Sequence, residues 1–211
     1  MDNKPIAVMT TPKGTAVFPQ IVKPTKKFDK DGVYEIKLRL DKKEDKAFIA
    51  AIERHYETNY QSQCEVKGVQ ELKRADYPFK DVTDKDTGKP TGEVEFKFKM
   101  KASGVNQEGD KWEQRPKIFD PAGNPIAPSD APMIGSGTTC KVNFHISGWN
   151  TNIGCGISLK LRAVQIIKLV EYSGGGDAAS FGFSNEGEAF EQPERMEETT
   201  VESTSSTGGD F

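Results

Sequence analysis

The chain predicts a mainly β protein: a small closed barrel of five or six strands, one helix set between early strands, and an acidic tail with no fold of its own. A two-sheet sandwich is the alternative. Three observations carry this prediction. Apolar and charged residues alternate with period two in segments such as Glu93–Lys101, the pattern of a half-buried strand. Turn signals separate those segments at short intervals, as in small barrels. Charge is split along the chain. Residues 173–211 carry nine acids against one base, Arg195, a balance of −8, whereas residues 1–172 carry 28 bases against 23 acids, a balance of +5. A mildly basic body tied to an acidic tail points to a polyanionic ligand, with a tail able to cover the body when that ligand is absent.

Asp29-Lys-Asp-Gly32 is a turn signal. Val33–Leu40 then alternates, with Tyr34, Ile36, Leu38 and Leu40 on one face and Val33, Glu35, Lys37 and Arg39 on the other. Asp41 can cap a helix starting at Lys42. Phe48, Ile52, Tyr56 and Tyr60 follow at near-helical spacing, one apolar stripe on a helix of about five turns ending near Gln63. In Glu93–Lys101, Val94, Phe96, Phe98 and Met100 face one way and Glu95, Lys97, Lys99 and Lys101 the other. Asn106–Asp110 reads as the tip of a hairpin between this strand and one near Trp112–Phe119, and Asp120–Asn124 as a further turn. Thr138–Trp149 alternates through Cys140, Val142, Phe144 and Ile146, and Asn150–Gly154 joins it to a long last strand, Gly156–Tyr172. Ile157, Leu159, Leu161 and Ala163 share one face of that strand, and the doubled Ile166-Ile167 within Gln165–Lys168 predicts a bulge or bend. Beyond Tyr172, Ser173-Gly-Gly-Gly176 opens an acidic, Ser/Thr-rich stretch whose apolar anchors are Phe181, Phe183, Ala189, Phe190 and Phe211. The boundaries expected are therefore a folded domain over 1–172 and a disordered tail over 173–211.

Several function classes are argued against. No apolar run reaches the roughly 18 residues of a membrane span, and residues 1–20 lack a signal-peptide apolar region. A cytoplasmic protein without membrane contact is expected. Cys64, Cys140 and Cys155 are odd in number and lack C-x-x-C spacing, so buried free thiols are expected. His55 and His145 are the only histidines, which argues against zinc. Gly135-Ser-Gly137 lacks the lysine of a phosphate-binding loop, and Asp81, Asp84 and Asp86 before Gly88 are not spaced as an EF-hand requires. No enzyme and no cofactor is expected.

Candidate binding residues lie on and beside the strands. Lys97, Lys99 and Lys101 project ammonium groups about 6.6–6.8 Å apart along one strand face, near the phosphate repeat of an extended single strand; a plain solvated face is the alternative. Tyr77, Phe79, Trp112, Phe119 and Trp149 lie in loops or at strand ends beside Lys80, Lys111, Arg115 and Lys117. Such rings can stack bases of any identity, although a ring taken alone is more often core or rim packing than a platform. Trp112 and Trp149, flanked by polar residues, are the favoured platforms.

A basic body of this size resembles a known family when taken with three further features. These are a helix after the first long strands, the final strand Gly154-Cys-Gly-Ile-Ser-Leu-Lys-Leu-Arg-Ala-Val-Gln165, and an acidic tail ending in Asp210-Phe211. Together they resemble the podophage-type single-stranded DNA-binding proteins of tailed bacteriophages. The terminal Asp210-Phe211 is the most specific single feature. The tail acids here are spread among Ser, Thr and Gly rather than packed at the very end. The resemblance implies an OB-fold, a five- to six-stranded Greek-key barrel. It implies a protein that coats single-stranded DNA during phage replication, recombination and repair, in the cytoplasm of the infected bacterium. The residues read above as DNA contacts are Tyr77, Phe79, Lys80, Lys97, Lys99, Lys101, Trp112, Arg115, Lys117, Phe119 and Trp149. It implies a tail that competes with DNA and contacts replication proteins (polymerase, helicase-primase) through Asp210 and Phe211, and it leaves a homodimer open. The rivals are an RNA-binding or duplex-tolerant OB protein and a metal-dependent nuclease.

Overall fold

The computed structural model of the chain describes residues 7–27 and 29–171. The expected tail, with Asp210 and Phe211, lies outside the described residues. The last strand, expected to run to Tyr172, ends instead at Lys168, with Leu169 and Val170 outside it. In chain order the elements are β1 (Ala7–Thr10), β2 (Gly14–Thr25), β3 (Val33–Asp41), α1 (Lys46–Lys67), β4 (Phe79–Thr83) and β5 (Pro90–Lys101). They continue with β6 (Ser103–Val105), β7 (Lys111–Glu113), β8 (Lys117–Phe119), β9 (Pro125–Ile126), β10 (Thr139–Thr151) and β11 (Gly154–Lys168).

Five long strands close on themselves. β2 pairs β3, β3 pairs β5, β5 runs parallel to β11, β11 pairs β10, and β10 returns to β2 with Thr139 opposite Thr15. Numbered among themselves, these strands lie in the order 1-2-3-5-4, the Greek-key ring of an OB-like barrel. β1, β4, β8 and β9 extend the sheet around it, and β6–β7 form a separate hairpin. The period-two patterns point inward as the sequence requires. Ile36, Leu38, Val94, Phe96, Phe98, Val142, Phe144 and Ile146 are all fully buried. α1 packs across the barrel, and Phe48 meets Phe96 and Phe144 edge-on at ring separations of 5.4 and 6.2 Å.

Three local expectations are corrected. α1 starts at Lys46 rather than Lys42, because the Asp41 carboxylate accepts the N–H groups of Lys43 (2.7 Å) and Glu44 (2.9 Å) and stabilises a turn ahead of the helix. It runs past Gln63 to Lys67, where Gly68 adopts a left-handed φ of 66°. Gly68 and Val69 then donate back to the carbonyls of Glu65 and Cys64, a glycine-dependent helix stop. The single strand expected over Trp112–Phe119 is two. β7 pairs only β6, whereas β8 joins the main sheet beside β11 with Ile118 opposite Val164. Pro116 lies between them and cannot donate to a ladder.

The third correction concerns the last strand. Cys140 faces Ile166 and Thr139 faces Lys168, so Ile167 is the extra residue of a bulge, inside the expected stretch. A second bulge was not read from the sequence: Asn143 faces Ala163 and Phe144 faces Leu161, which leaves Arg162 unopposed. The alternation therefore shifts. Val164, not Ala163, continues the buried face after Leu161.

The three cysteines are free and buried. Desolvation pushes the Cys140 thiol up to about 12 and also raises that of Cys155. A strap after α1 is clamped to the barrel by side chains of the helix. Tyr56 donates to the Ala75 carbonyl, Asn59 to the Gly156 carbonyl at 3.0 Å, and Arg74 lies 3.7 Å over the Tyr60 ring while pairing with Glu57 at 2.8 Å.

Candidate nucleic-acid interface

An open groove of about 890 Å³ runs over the outer faces of β5, β11, β10 and β8, with the β6–β7 hairpin as one wall. Seven bases line it: Lys99, Lys101, Arg115, Lys117, Lys141, Lys160 and Arg162. No carboxylate is among the lining residues. The sheet register brings these cations together from distant parts of the chain. Lys160 lies beside Lys99 on parallel β5, His145 opposes Lys160, and Ala163 lies beside Lys117. The bulge at Arg162 belongs to the same surface.

Polar side chains fix the groove floor. Asn143 donates to Thr10 Oγ1 at 2.9 Å and to the Met9 carbonyl at 3.2 Å, and accepts from Arg162 at 3.4 Å. Gln165 donates to the carbonyls of Asp120 (3.3 Å) and Pro121 (3.2 Å), holding the β8–β9 turn at the groove edge. Burial, reinforced by the charges of Arg162 and Lys160, holds His145 below its ordinary value. Burial and these two cations therefore oppose a further positive charge at His145.

Two rings belong to this surface, Trp112 and Phe119. Trp112 opposes Gly104 in the β6–β7 ladder, and a side chain at Gly104 would meet it: a Cβ there would lie 2.6 Å from Trp112 Cζ2. Glycine thus makes the seat on which the indole lies across its partner strand. Trp112 is 36% exposed, so part of the residue is open to a ligand.

Of the residues expected to bind DNA, six line the groove: Lys99, Lys101, Trp112, Arg115, Lys117 and Phe119. Lys97 lies on the same face of β5, one step outside, and pairs with Glu35 at 3.1 Å. Tyr77, Phe79 and Lys80 gather at a separate small cleft with Asp76, Pro78 and Glu95. There Tyr77 stacks on Phe79 at 5.3 Å, Phe79 turns toward Phe96 in the core, and Lys80 pairs with Glu95 at 3.7 Å. Trp149 lies across the β10–β11 hairpin against Gly156, where a Cβ would sit 3.0 Å from its ring. Lys141, Asn143, His145, Lys160, Arg162 and Gln165 were not named from the sequence. The signal of the first five was present in the outward positions of β10 and β11, which alternate with the apolar residues that were read; Gln165 shares the parity of Ala163 and faces outward only because of the bulge at Arg162.

A family model described as "Single-stranded DNA-binding protein, Bacteriophage T7" matches residues 15–169. The chain belongs to this family. Two curated members are similar over 163 residues: the single-stranded DNA-binding proteins of Escherichia phage T7, 28% identical, and of Enterobacteria phage T3, 29% identical. Each match covers 69% of this chain and 66% of the relative. The crystal structure of gp2.5, a single-stranded DNA-binding protein encoded by bacteriophage T7, superposes with a TM-score of 0.66 at 25% identity, over 88% of this chain and 99% of that one. A single-stranded DNA-binding protein from bacteriophage Enc34, solved in complex with single-stranded DNA, superposes with a TM-score of 0.56 over 79% of this chain and 89% of its own. At 17% identity that likeness speaks for the fold. Family membership thus rests on the barrel rather than on the terminal Asp210-Phe211, to which the sequence reading gave most weight. Among the described residues no helix is long and apolar enough to cross a membrane, and no group of three or more His, Cys, Asp or Glu is placed to hold a metal ion.

Proposed function

We propose that the chain coats single-stranded DNA without sequence preference, as a phage protein serving replication, recombination and repair in the infected cell. The observation that carries this reading is the groove: seven bases and no acid along its lining, with Trp112 and Phe119 on the same surface. Lysine and arginine neutralise phosphates and release the counterions condensed on the strand, a contribution blind to sequence. Rings stack on any base. An exposed, shallow surface suits a ligand whose bases are already unpaired. Coating needs no bond making, so the chain acts as a binding protein and not as an enzyme.

The acidic segment 173–211 supplies the second part of the proposal. Its net −8 competes with DNA for the bases of the body, and Asp210 with Phe211 recruits polymerase or helicase-primase. An aromatic side chain beside acidic residues suits an apolar pocket ringed by bases.

Competition decides the ligand class. Fluorescein-labelled oligo-dT bound to the full chain is challenged with unlabelled single-stranded DNA, duplex DNA and RNA of equal length, with magnesium present and strand integrity followed on a gel. The proposal requires that single-stranded DNA compete best and that all strands remain intact. Preference for RNA or duplex, or cleavage of the strand, overturns it.

A further inference from the structure

We propose that Glu35 lowers the DNA affinity of this protein by acting as a built-in competitor of phosphate. The inference rests on the groove reading above. Glu35 lies directly opposite Lys99 in the β3–β5 ladder, with Lys97 on the diagonal. Its two carboxylate oxygens are divided between them: Oε1 lies 3.1 Å from Lys97 Nζ, and Oε2 lies 3.4 Å from Lys99 Nζ. Lys99 lines the groove. Lys97 continues the same row of ammonium groups away from it, on the face that an extended strand leaving the groove would follow.

The two lysine side chains are 46% and 54% exposed, whereas the carboxylate is 22% exposed. The cations can therefore swing toward an incoming phosphate while the acid stays on the sheet. A phosphate that takes Lys99 must first displace Glu35, and the displaced carboxylate then attracts a cation from solution. That uptake offsets part of the counterion release that drives binding. Exposed ion pairs of this kind are weak, so Glu35 tunes the affinity and does not close the site. A neighbouring pair repeats the arrangement more loosely, Lys101 with Asp29 at 3.8 Å.

The test is the Glu35→Gln variant of the full chain, which keeps the shape of the side chain and removes its charge. Glu65→Gln, an exposed position on α1, changes the net charge equally away from the groove. Binding of labelled oligo-dT is measured by anisotropy across a salt series, after circular dichroism confirms that each variant is folded. Glu35→Gln should bind about two- to tenfold more tightly at low salt. Its slope of log affinity against log salt should steepen by up to about 0.7, one further phosphate equivalent, while Glu65→Gln matches the wild type. Unchanged binding by Glu35→Gln, an equal gain in Glu65→Gln, or weaker binding by Glu35→Gln (a carboxylate that positions the lysines) overturns the inference and leaves the groove reading intact. Should the wild type itself show no salt-dependent binding, the groove reading falls and this inference with it. Asp29→Asn gives an independent second reading: a smaller gain of the same sign is expected, and a loss of affinity counts against competition.

Discussion

Replacing Gly104 with alanine moves Trp112 without deleting it. The added Cβ would lie 2.6 Å from Cζ2, 2.9 Å from Cε2 and 3.2 Å from Nε1 of the indole. Carbon atoms in contact settle at about 3.5–4.0 Å, so the ring must lift by roughly 1 Å or rotate off its seat. Either movement spoils a platform on which a base lies flat. If one base stacks there, the loss is about 1–3 kcal/mol, a fall in affinity of roughly 5- to 150-fold at about 1.36 kcal/mol per decade. The barrel itself should be little affected, because β6 and β7 pair only with each other. Affinity is measured by the anisotropy of labelled oligo-dT for every variant, and quenching of tryptophan fluorescence in a Trp149→Phe background, where Trp112 alone reports, shows whether the ring meets the strand. Gly104→Ala and Trp112→Ala should weaken binding similarly. The double variant should be no worse than Trp112→Ala, since without the ring there is no clash, and such non-additivity is the mark of a coupled pair. If both single variants bind like the wild type, Trp112 is a packing residue and the stacking argument fails.

Other outcomes follow from the same surface. His145 is held below its usual value by burial and by Arg162 and Lys160; a bound phosphate favours the protonated ring, so binding takes up a proton and affinity should rise as pH falls from 7.5 to 5.5. Isothermal titration in two buffers of different ionisation enthalpy measures that uptake; its absence, or its persistence in His145→Gln, contradicts the assignment. Deleting residues 173–211 should tighten DNA binding, most at low salt, because the Debye length is only about 8 Å at physiological ionic strength. Removing Phe211 alone should leave DNA affinity unchanged and abolish binding to the replication partner, and weakened DNA binding on tail truncation contradicts this division. Buried Cys64, Cys140 and Cys155 should resist a thiol reagent at pH 8 in the folded protein and react fully in denaturant. Rapid labelling of the native chain counts against the packed barrel.

The barrel was legible because its central strands alternate cleanly. Tyr34, Ile36, Leu38 and Leu40, or Val94, Phe96 and Phe98, can be buried in only one way. β2 was not legible. It contains Pro19 and Pro24, and Phe18 adopts a positive φ of 46°, so its period breaks where the chain bends. The bulge at Ile167 could be read from two adjacent apolar residues. The one at Arg162 could not, since Leu161-Arg162-Ala163 keeps alternating in sequence while the register slips in space. Half of the groove was visible as the lysine row and the cations around Trp112. The other half comes from β10 and β11, whose outward Lys141, Lys160 and Arg162 are scattered in sequence. Only the parallel pairing of β5 with β11 and the antiparallel pairing of β11 with β10 place them beside Lys99. Conversely, Tyr77, Phe79 and Lys80 have the right chemistry in sequence, yet the fold sets them on a separate cleft beside Asp76 and Glu95.

The central claim is that the groove tracks phosphate, and the salt dependence of binding tests it most directly. If four to six phosphates are engaged, log affinity for oligo-dT should fall against log salt with a slope of about −3 to −4. Replacing Lys160 and Arg162 together by alanine should make that slope shallower by about 1.4, two phosphate equivalents. Lys80→Ala, outside the groove, should leave it unchanged. A wild-type slope near zero, or one that Lys160→Ala with Arg162→Ala does not alter, contradicts the account.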